Sequence, residues 1–340
     1  MIAFAPDRQI SLEFRRYARR FRQPLRTAHG EWATREGVVV RLATDNGRVG
    51  YGEAAPVPGF SRETVDEHVA RLDLHQNGFS MQRMAEISQG QPSLGWALEC
   101  ALAQLVRQDS PPASTIAIAG LLPAGAAALE AIANETGTGR RVFKWKIGVA
   151  SASEEISLAD TLLSQLPRDA KLRLDANGGL GSSFGEWLDW CAVNRERIDY
   201  LEQPLAPGYE AAMLERGIAA GVPIALDESI AGIDQLIALS GQFPAAVLVV
   251  KPSLLGSLWR FLEWRQEHGD RRVVYSSCFE TAVGFKAVWE LAASDPRPEP
   301  AGLGVVDFLE HDGLCPVEFG AELSTTGFPT DVEAQTWSRL

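Results

Sequence analysis

From residue 114 onwards, short apolar runs alternate with longer segments in which apolar and polar positions are mixed. Each run has the length and composition of a buried β-strand, and each intervening segment is long enough for a helix. The runs number eight: STIAIAGLL (114–122), RVFKWKIG (141–148), KLRLDANGG (171–179), IDYLEQPL (198–205), VPIALDES (222–229), AAVLVVKPS (245–253), RRVVYSS (271–277) and LGVVDFL (303–309). Strands that alternate with helices form a parallel sheet, and eight such units close a barrel. The pattern therefore predicts an α/β fold with a (β/α) barrel.

The first part of the chain follows a different pattern. Two β-rich runs, residues 38–44 and 48–56, flank Asn46-Gly47, a dipeptide that is typical of a hairpin turn. Helical patterns follow at residues 63–74 and 95–107, and the prolines at 111 and 112 indicate a boundary. We therefore expect three parts: an α+β domain over residues 1–113, the barrel over 114–309, and a tail over 310–340 that packs against the first domain.

Three of the predicted barrel strands end in an acidic residue: Asp175 in KLRLD, Glu202 in IDYLE and Asp227 in PIALD. These acids are 27 and 25 residues apart, about one strand–helix unit each, so their strands are expected to be neighbours in the sheet. Carboxylates that meet at one rim repel one another unless a cation binds them. Because oxygen ligands suit hard divalent ions, the trio predicts a site for Mg²⁺, with Mn²⁺ as a possible substitute.

Three lysines belong to the strands on either side of these acids. Lys144 and Lys146 are two residues apart, so their side chains share one face of the second strand, and Lys251 ends the sixth strand. We expect the neighbouring ammonium groups and a bound metal to lower the pKa of a lysine towards values at which it accepts a proton. Each charge alone is more often a helix cap, a loop ion pair or a solvated group, but the ordered set indicates catalysis.

This combination of charges suits one reaction type. A cation bound to a substrate carboxylate stabilises the enediolate that forms when the proton on the adjacent carbon is removed, and a lysine placed at that carbon transfers the proton. The alternative from a different functional class is a non-catalytic barrel that binds a ligand. Replacement of Lys146 by alanine distinguishes the two, because only an enzyme loses turnover.

Composition argues against several other functional classes. The net charge of −12 disfavours a general nucleic-acid binder, and no apolar run reaches the length of a membrane span. The four cysteines lie far apart without a CxxC pair, and the first residues lack the features of a secretory signal. We therefore expect a cytoplasmic enzyme that acts on a small-molecule carboxylate, with no nucleic-acid or membrane partner. The sequence leaves the oligomeric state open.

Five short motifs resemble those of the enolase superfamily, in its muconate-lactonizing-enzyme subgroup: KWK (144–146), LDAN (174–177), EQP (202–204), DES (227–229) and VKPS (250–253). The resemblance covers nearly the whole chain. It implies a modified TIM barrel with an α+β capping domain, formed by the first 113 residues together with the tail. It also implies Mg²⁺ on Asp175, Glu202 and Asp227.

Four further segments are similar to the o-succinylbenzoate synthase family of menaquinone and phylloquinone synthesis: RQPLRTAHGEWATREG (22–37), GYGEAAPVPGF (50–60), VVKPSLLGS (249–257) and YSSCFETAVG (275–284). The resemblance implies a syn dehydration of 2-succinyl-6-hydroxy-2,4-cyclohexadiene-1-carboxylate. Lys146 would remove the α-proton and then protonate the departing hydroxyl. Lys251 would hold the opposite face of the ring by its charge, and Lys144 would tune Lys146.

The same resemblance implies six substrate-binding residues, which belong to a lid at residues 23–30, to the third strand end and to the loop after the seventh strand: Arg26, Thr27, Asn177, Ser276, Ser277 and Glu280. Two related activities use the same machinery, namely N-succinylamino acid racemase and dipeptide epimerase. A racemase needs proton transfer on both faces of its substrate, so Lys146 and Lys251 would both act as acid and base. Loss of the diene chromophore, compared with deuterium uptake by an N-succinylamino acid, separates these activities.

Overall fold

A computed structural model describes residues 10–27, 30–75, 79–107, 114–317 and 320–340, and the side chains of residues 26, 27, 81 and 82 fall outside this description. The predicted boundary at residues 111 and 112 also lies outside the described residues. The first part of the chain contains three strands and three helices: β1 (Ile10–Thr27), β2 (Gly30–Thr44), β3 (Val49–Ala54), α1 (Val65–Asp73), α2 (Met81–Ser88) and α3 (Pro92–Val106). We call this part the cap.

The cap strands form an antiparallel sheet in the order β1-β2-β3. The predicted hairpin is confirmed, because β2 pairs with β3 through a turn in which Gly47 adopts φ +83°. The long strand β1 has no counterpart among the predicted elements, since its many arginines obscure the apolar positions Tyr17 and Phe21, each only 5% exposed. Helix α3 covers the sheet so closely that a Cβ on Gly52 would stand 1.8 Å from the carbonyl oxygen of Ala97.

The second part of the chain alternates strands with helices. Its strands are β4 (Thr115–Ala117), β5 (Gly120–Leu122), β6 (Val142–Lys146), β7 (Lys171–Asp175), β8 (Ile198–Glu202), β9 (Ile224–Leu226), β10 (Val247–Val250) and β11 (Val273–Tyr275). Its helices are α4 (Ala127–Gly137), α5 (Ala152–Gln165), α6 (Phe184–Val193), α7 (Glu210–Ala220), α8 (Ile233–Gln242), α9 (Leu258–Glu267) and α10 (Ala282–Ala293). Strands β5 to β11 form a parallel sheet of seven strands in chain order. The predicted fold class is thus confirmed.

The first and last predicted barrel strands differ from the expectation. The first run divides into β4 and β5, and the run at 303–309 forms a short 3-10 turn over Val306–Phe308. The gap between β11 and the first run is instead bridged by Ala301 and Gly302, which pair in parallel with Ile118 and Ser276. Prolines at 296, 298 and 300 lack the N–H groups that a regular eighth strand would need just before these positions. Asp307, which belongs to the eighth run, therefore lies exposed on the turn.

The tail contains β12 (Glu322–Ser324) and α11 (Val332–Arg339). Strand β12 pairs with β4, and the Trp337 ring lies 6.1 Å from that of Tyr51 in the cap. The tail thus contacts both larger parts of the chain. The division at residues 113 and 309 stays a prediction. Among the helices of the described residues, none combines the length and the apolar character required to cross a membrane.

Candidate active site

The register of the sheet brings the predicted charges together. Lys146 on β6 lies opposite Asp175 on β7, and Asp175 lies opposite Glu202 on β8, while Asp227 follows the end of β9 directly. Trp145 points away from this group and is fully buried, with its ring 6.4 Å from that of Trp187 on α6. The alternation along β6 therefore directs Lys144 and Lys146 into the barrel, as predicted.

Two of the three lysines bind carboxylates. The Lys144 Nζ atom lies 2.8 Å from Asp175 Oδ2 and 2.8 Å from Glu202 Oε1, and Lys251 donates to Asp227. Burial lowers the pKa of Lys144, but the charges of Asp175 and Glu202 outweigh burial and raise this pKa well above its usual value. Burial likewise lowers the pKa of Lys251, and the charge of Asp227 more than reverses the effect.

For Lys144 this direction is the opposite of the lowering that the sequence predicts. The expectation considered the neighbouring ammonium groups and a bound metal but not ion pairs, whereas Lys144 and Lys251 each contact an acid. Lys146 is different, because within the described part of the chain it has no acidic partner within ion-pair distance although it lines the cavity. Its amine is thus available to a substrate.

Lysine is scarce in this protein. The sequence contains five lysines, at positions 144, 146, 171, 251 and 286, against 27 arginines. Three of the five line one cavity. Arginine does not lose its proton in proteins, whereas lysine does when its surroundings favour it. The scarcity of lysine elsewhere is a signal in the sequence that supports a chemical role for these three.

The carboxylate trio has the donors that a divalent cation requires. Glu202 is fully buried, and its Oε2 atom has no hydrogen-bond partner among the described residues. Burial, together with the charge of Asp175, raises the pKa of Glu202 well above its usual value. As the side chains stand, no three carboxylate, histidine or cysteine groups of the described residues are arranged to hold an ion, and the lysines occupy oxygens of all three acids. The unpaired buried oxygen and the all-oxygen donor set fit a hard divalent cation.

A fourth acid, which is half-buried, lies beside this trio. Glu228 follows Asp227 directly, and its Oε1 atom accepts a hydrogen bond of 3.0 Å from Asn177 Nδ2. Burial and the charge of Asp227 raise the pKa of Glu228 to about 7. Asn177 lines the cavity as predicted, but its amide nitrogen is used to bind Glu228. The sequence signal for Glu228 is its place in the DES motif, next to a candidate metal ligand.

A cavity of about 720 Å³ opens above these groups. Arg173 and Tyr200 line it below the acids, and Leu25, Trp32 and Phe60 of the cap line it from the opposite side. Arg173 and Tyr200 were identifiable from the sequence, because each lies two residues before a candidate metal ligand and so shares its face of the strand. The cap residues carried no such local signal.

The predicted substrate-binding residues divide into three groups. Ser276 and Ser277 line the cavity, although Ser277 Oγ already donates a hydrogen bond of 2.5 Å to Glu280. Glu280 is not part of the cavity wall: it is 2% exposed and accepts further hydrogen bonds from Ser253 and the Cys278 N–H. These bonds shape the loop after β11, and the expected contact of Glu280 with substrate stays a prediction. The side chains of Arg26 and Thr27 lie outside the described residues.

Comparison with known proteins places this site in a family. Residues 13–105 match the family described as MenC, N-terminal domain, and residues 126–314 match the family described as Enolase C-terminal domain-like. The o-succinylbenzoate synthase of Thermosynechococcus vestitus is 33% identical over 298 residues, which are 86% of this chain and 92% of that protein. The chain belongs to the o-succinylbenzoate synthase family. This family lies within the enolase superfamily, as the sequence motifs predict.

Solved structures agree with this assignment. The crystal structure of o-succinylbenzoate synthase from Thermosynechococcus elongatus BP-1, complexed with magnesium in the active site, has a TM-score of 0.84 at 30% identity and covers 97% of this chain and 100% of that one. The L-Ala-D/L-Glu epimerase of Bacillus subtilis has a TM-score of 0.76 at 22% identity and covers 93% of this chain and 96% of that one. The second likeness shows the fold alone. The fold is therefore shared with a protein that has a different named activity.

Proposed function

We propose that this protein dehydrates 2-succinyl-6-hydroxy-2,4-cyclohexadiene-1-carboxylate to 2-succinylbenzoate, in the synthesis of menaquinone or phylloquinone. Membership of the o-succinylbenzoate synthase family supports the substrate. The observation that carries the chemistry is a difference among the three lysines that line the cavity. Lys144 and Lys251 bind acids, whereas Lys146 has no acidic partner in the part of the chain that the structure describes. The size of the cavity suits a small carboxylate substrate. We place the reaction in the cytoplasm, and it needs no macromolecular partner.

We further propose that Asp175, Glu202 and Asp227 hold Mg²⁺, for which Mn²⁺ could substitute. The magnesium ion in the related Thermosynechococcus structure supports this proposal, as does the unpaired buried oxygen of Glu202. When bound, the cation supplies a positive charge that stabilises negative charge developing on the substrate carboxylate. Lys144, which contacts Asp175 and Glu202, neutralises part of their charge and keeps them oriented.

The acid–base work falls to Lys146. Its amine takes the proton from the ring carbon that carries the carboxylate, and it returns a proton to the hydroxyl group as the carbon–oxygen bond breaks. Water leaves and the ring becomes aromatic. One lysine serves both steps because the proton and the hydroxyl leave from the same face of the ring. Positioned proton transfer of this kind contributes about 10²- to 10⁴-fold to a rate. Lys251, which directly follows β10 across the barrel from β6, stays a cation and stabilises the ring from the other face.

The test compares Lys146→Ala with Lys171→Ala, a change of the same type at an exposed position at the start of β7. Turnover is followed by loss of the diene absorbance, with and without a chelator. We expect Lys146→Ala to lose at least about 10²-fold in kcat and Lys171→Ala to keep the wild-type rate. Undiminished dehydration by Lys146→Ala would exclude the mechanism. Deuterium uptake by an N-succinylamino acid, without any dehydration, would instead indicate a racemase.

A further inference from the structure

The loop that follows β3 in the cap is held in shape by hydrogen bonds between its own residues. The N–H groups of Phe60 and Ser61 donate to the Val57 carbonyl at 3.0 and 2.8 Å, and the Val57 N–H donates to Ser61 Oγ at 2.9 Å. Gly59 completes the turn with φ +75°, a conformation that side chains with a Cβ rarely adopt. The Phe60 ring therefore projects from a turn of defined shape.

Arg35 attaches this loop to the barrel. Its guanidinium is 2% exposed and donates to the carbonyls of Ala55 and Pro56, the latter at 2.6 Å, at the base of the loop. Its Nε atom donates at 2.8 Å to the carbonyl of Cys278, in the loop after β11. A single buried cation thus fixes the cap loop relative to the wall of the cavity.

Phe60 lies between the cap and the barrel. Its side chain packs on the apolar cluster of Val57, Leu254 and Cys278. The Lys251 Nζ atom lies 5.0 Å from the centroid of its ring. A lysine ammonium within about 6 Å of an aromatic face is attracted by the negative charge of that face. The cap therefore contributes one of the direct contacts of a lysine that belongs to the barrel.

We propose that Phe60 is a positioning residue that holds the ammonium of Lys251 in place over the substrate. This inference rests on the proposed function, in which Lys251 remains a cation facing the ring. The lysine side chain has a flexible stem of four carbons, and that of Lys251 is 19% exposed. Its amine therefore needs fixed contacts to stay in one position. Asp227 is such a contact, but it is also a proposed metal ligand. The contact with Phe60 does not compete with metal binding.

The experiment compares two substitutions of the same residue. Phe60→Leu keeps an apolar side chain of related size but removes the aromatic face, and Phe60→Tyr keeps the face. We expect kcat for the dehydration to fall about tenfold in Phe60→Leu, with KM and the melting temperature little changed, and Phe60→Tyr to restore most of the loss. Equal kcat values in both variants would overturn the proposal. A change confined to KM would also overturn it, because it would indicate that Phe60 only forms part of the wall around the substrate.

A second measurement is independent of turnover. The chain has only five lysines, so the Lys251 side-chain resonance can be assigned in an NMR spectrum by its disappearance in Lys251→Arg. In the wild-type protein the ring should shift the Lys251 Hε and Cε signals upfield, and Phe60→Leu should abolish this shift. An unshifted wild-type resonance would refute the contact itself. A wild-type protein with the shifted resonance but no dehydration would overturn the proposed function while leaving the contact standing.

Discussion

Replacing Arg35 by methionine should destabilise the protein by about 3–5 kcal/mol. Methionine approximates the length and the packing of the arginine stem but cannot donate hydrogen bonds. The guanidinium is 2% exposed and donates to four carbonyls, those of Glu36 at 3.1 Å, Ala55, Pro56 at 2.6 Å and Cys278 at 2.8 Å. Without Arg35, these acceptors lose a charged donor in a place where water has little access.

The magnitude follows from these contacts. A hydrogen bond to a charged group contributes about 1.5–3 kcal/mol, and a buried acceptor left without a partner costs about 1–3 kcal/mol. The contributions do not add fully, because the four carbonyls share one side chain and the loop can relax towards solvent. Because the free energy of unfolding of a domain is only about 5–15 kcal/mol, the expected loss is a large fraction of it.

Urea unfolding followed by tryptophan fluorescence measures this loss, and the matched control is Arg41→Met. Arg41 lies on the same strand and pairs with Glu13, but its side chain is 25% exposed, so we expect a change below about 1 kcal/mol. A loss in Arg35→Met within 1 kcal/mol of the control would refute the idea that this residue secures the cap to the barrel. A change in the slope of the free energy of unfolding against urea concentration would show instead that the compactness of the native or the unfolded state had changed.

Two further predictions concern the acids. Asp175→Asn should weaken Mg²⁺ binding about a hundredfold in calorimetry, whereas the exposed Asp189→Asn should leave it unchanged; equal affinities would remove Asp175 from the metal site. Burial raises the pKa of Glu53 above its usual 4.5, so the folded state holds this proton more tightly than the unfolded state does. The free energy of unfolding should therefore fall as pH rises from 4.5 through the raised pKa. Glu53→Gln should lack this part of the pH profile, and identical profiles would contradict the reasoning.

The barrel and its charges could be predicted because their information is local. Each acid ends its own apolar run, and a period of two assigns Lys144 and Lys146 to one face whatever the rest of the chain does. The spacing of one strand–helix unit then makes Asp175 and Glu202 neighbours, which the register confirms. Arg173 and Tyr200 obey the same rule and could have been added.

The misjudged features depend on contacts between distant parts of the chain. The pKa of Lys144 is raised and not lowered because Asp175 and Glu202, the latter 58 residues away, contact its amine. The gap at the eighth position is bridged by Ala301 and Gly302 because prolines precede them.

The order of residues was enough to specify the strands, the faces on which the charges lie and the family, because each of these depends on a few consecutive positions. The cap loop and its hold on the barrel could be learned only from the folded chain. Arg35 and Cys278 are 243 residues apart, and nothing near either position indicates the other. Alternation along a strand specifies the face on which each side chain lies, but the residue that this side chain contacts depends on how the whole chain packs.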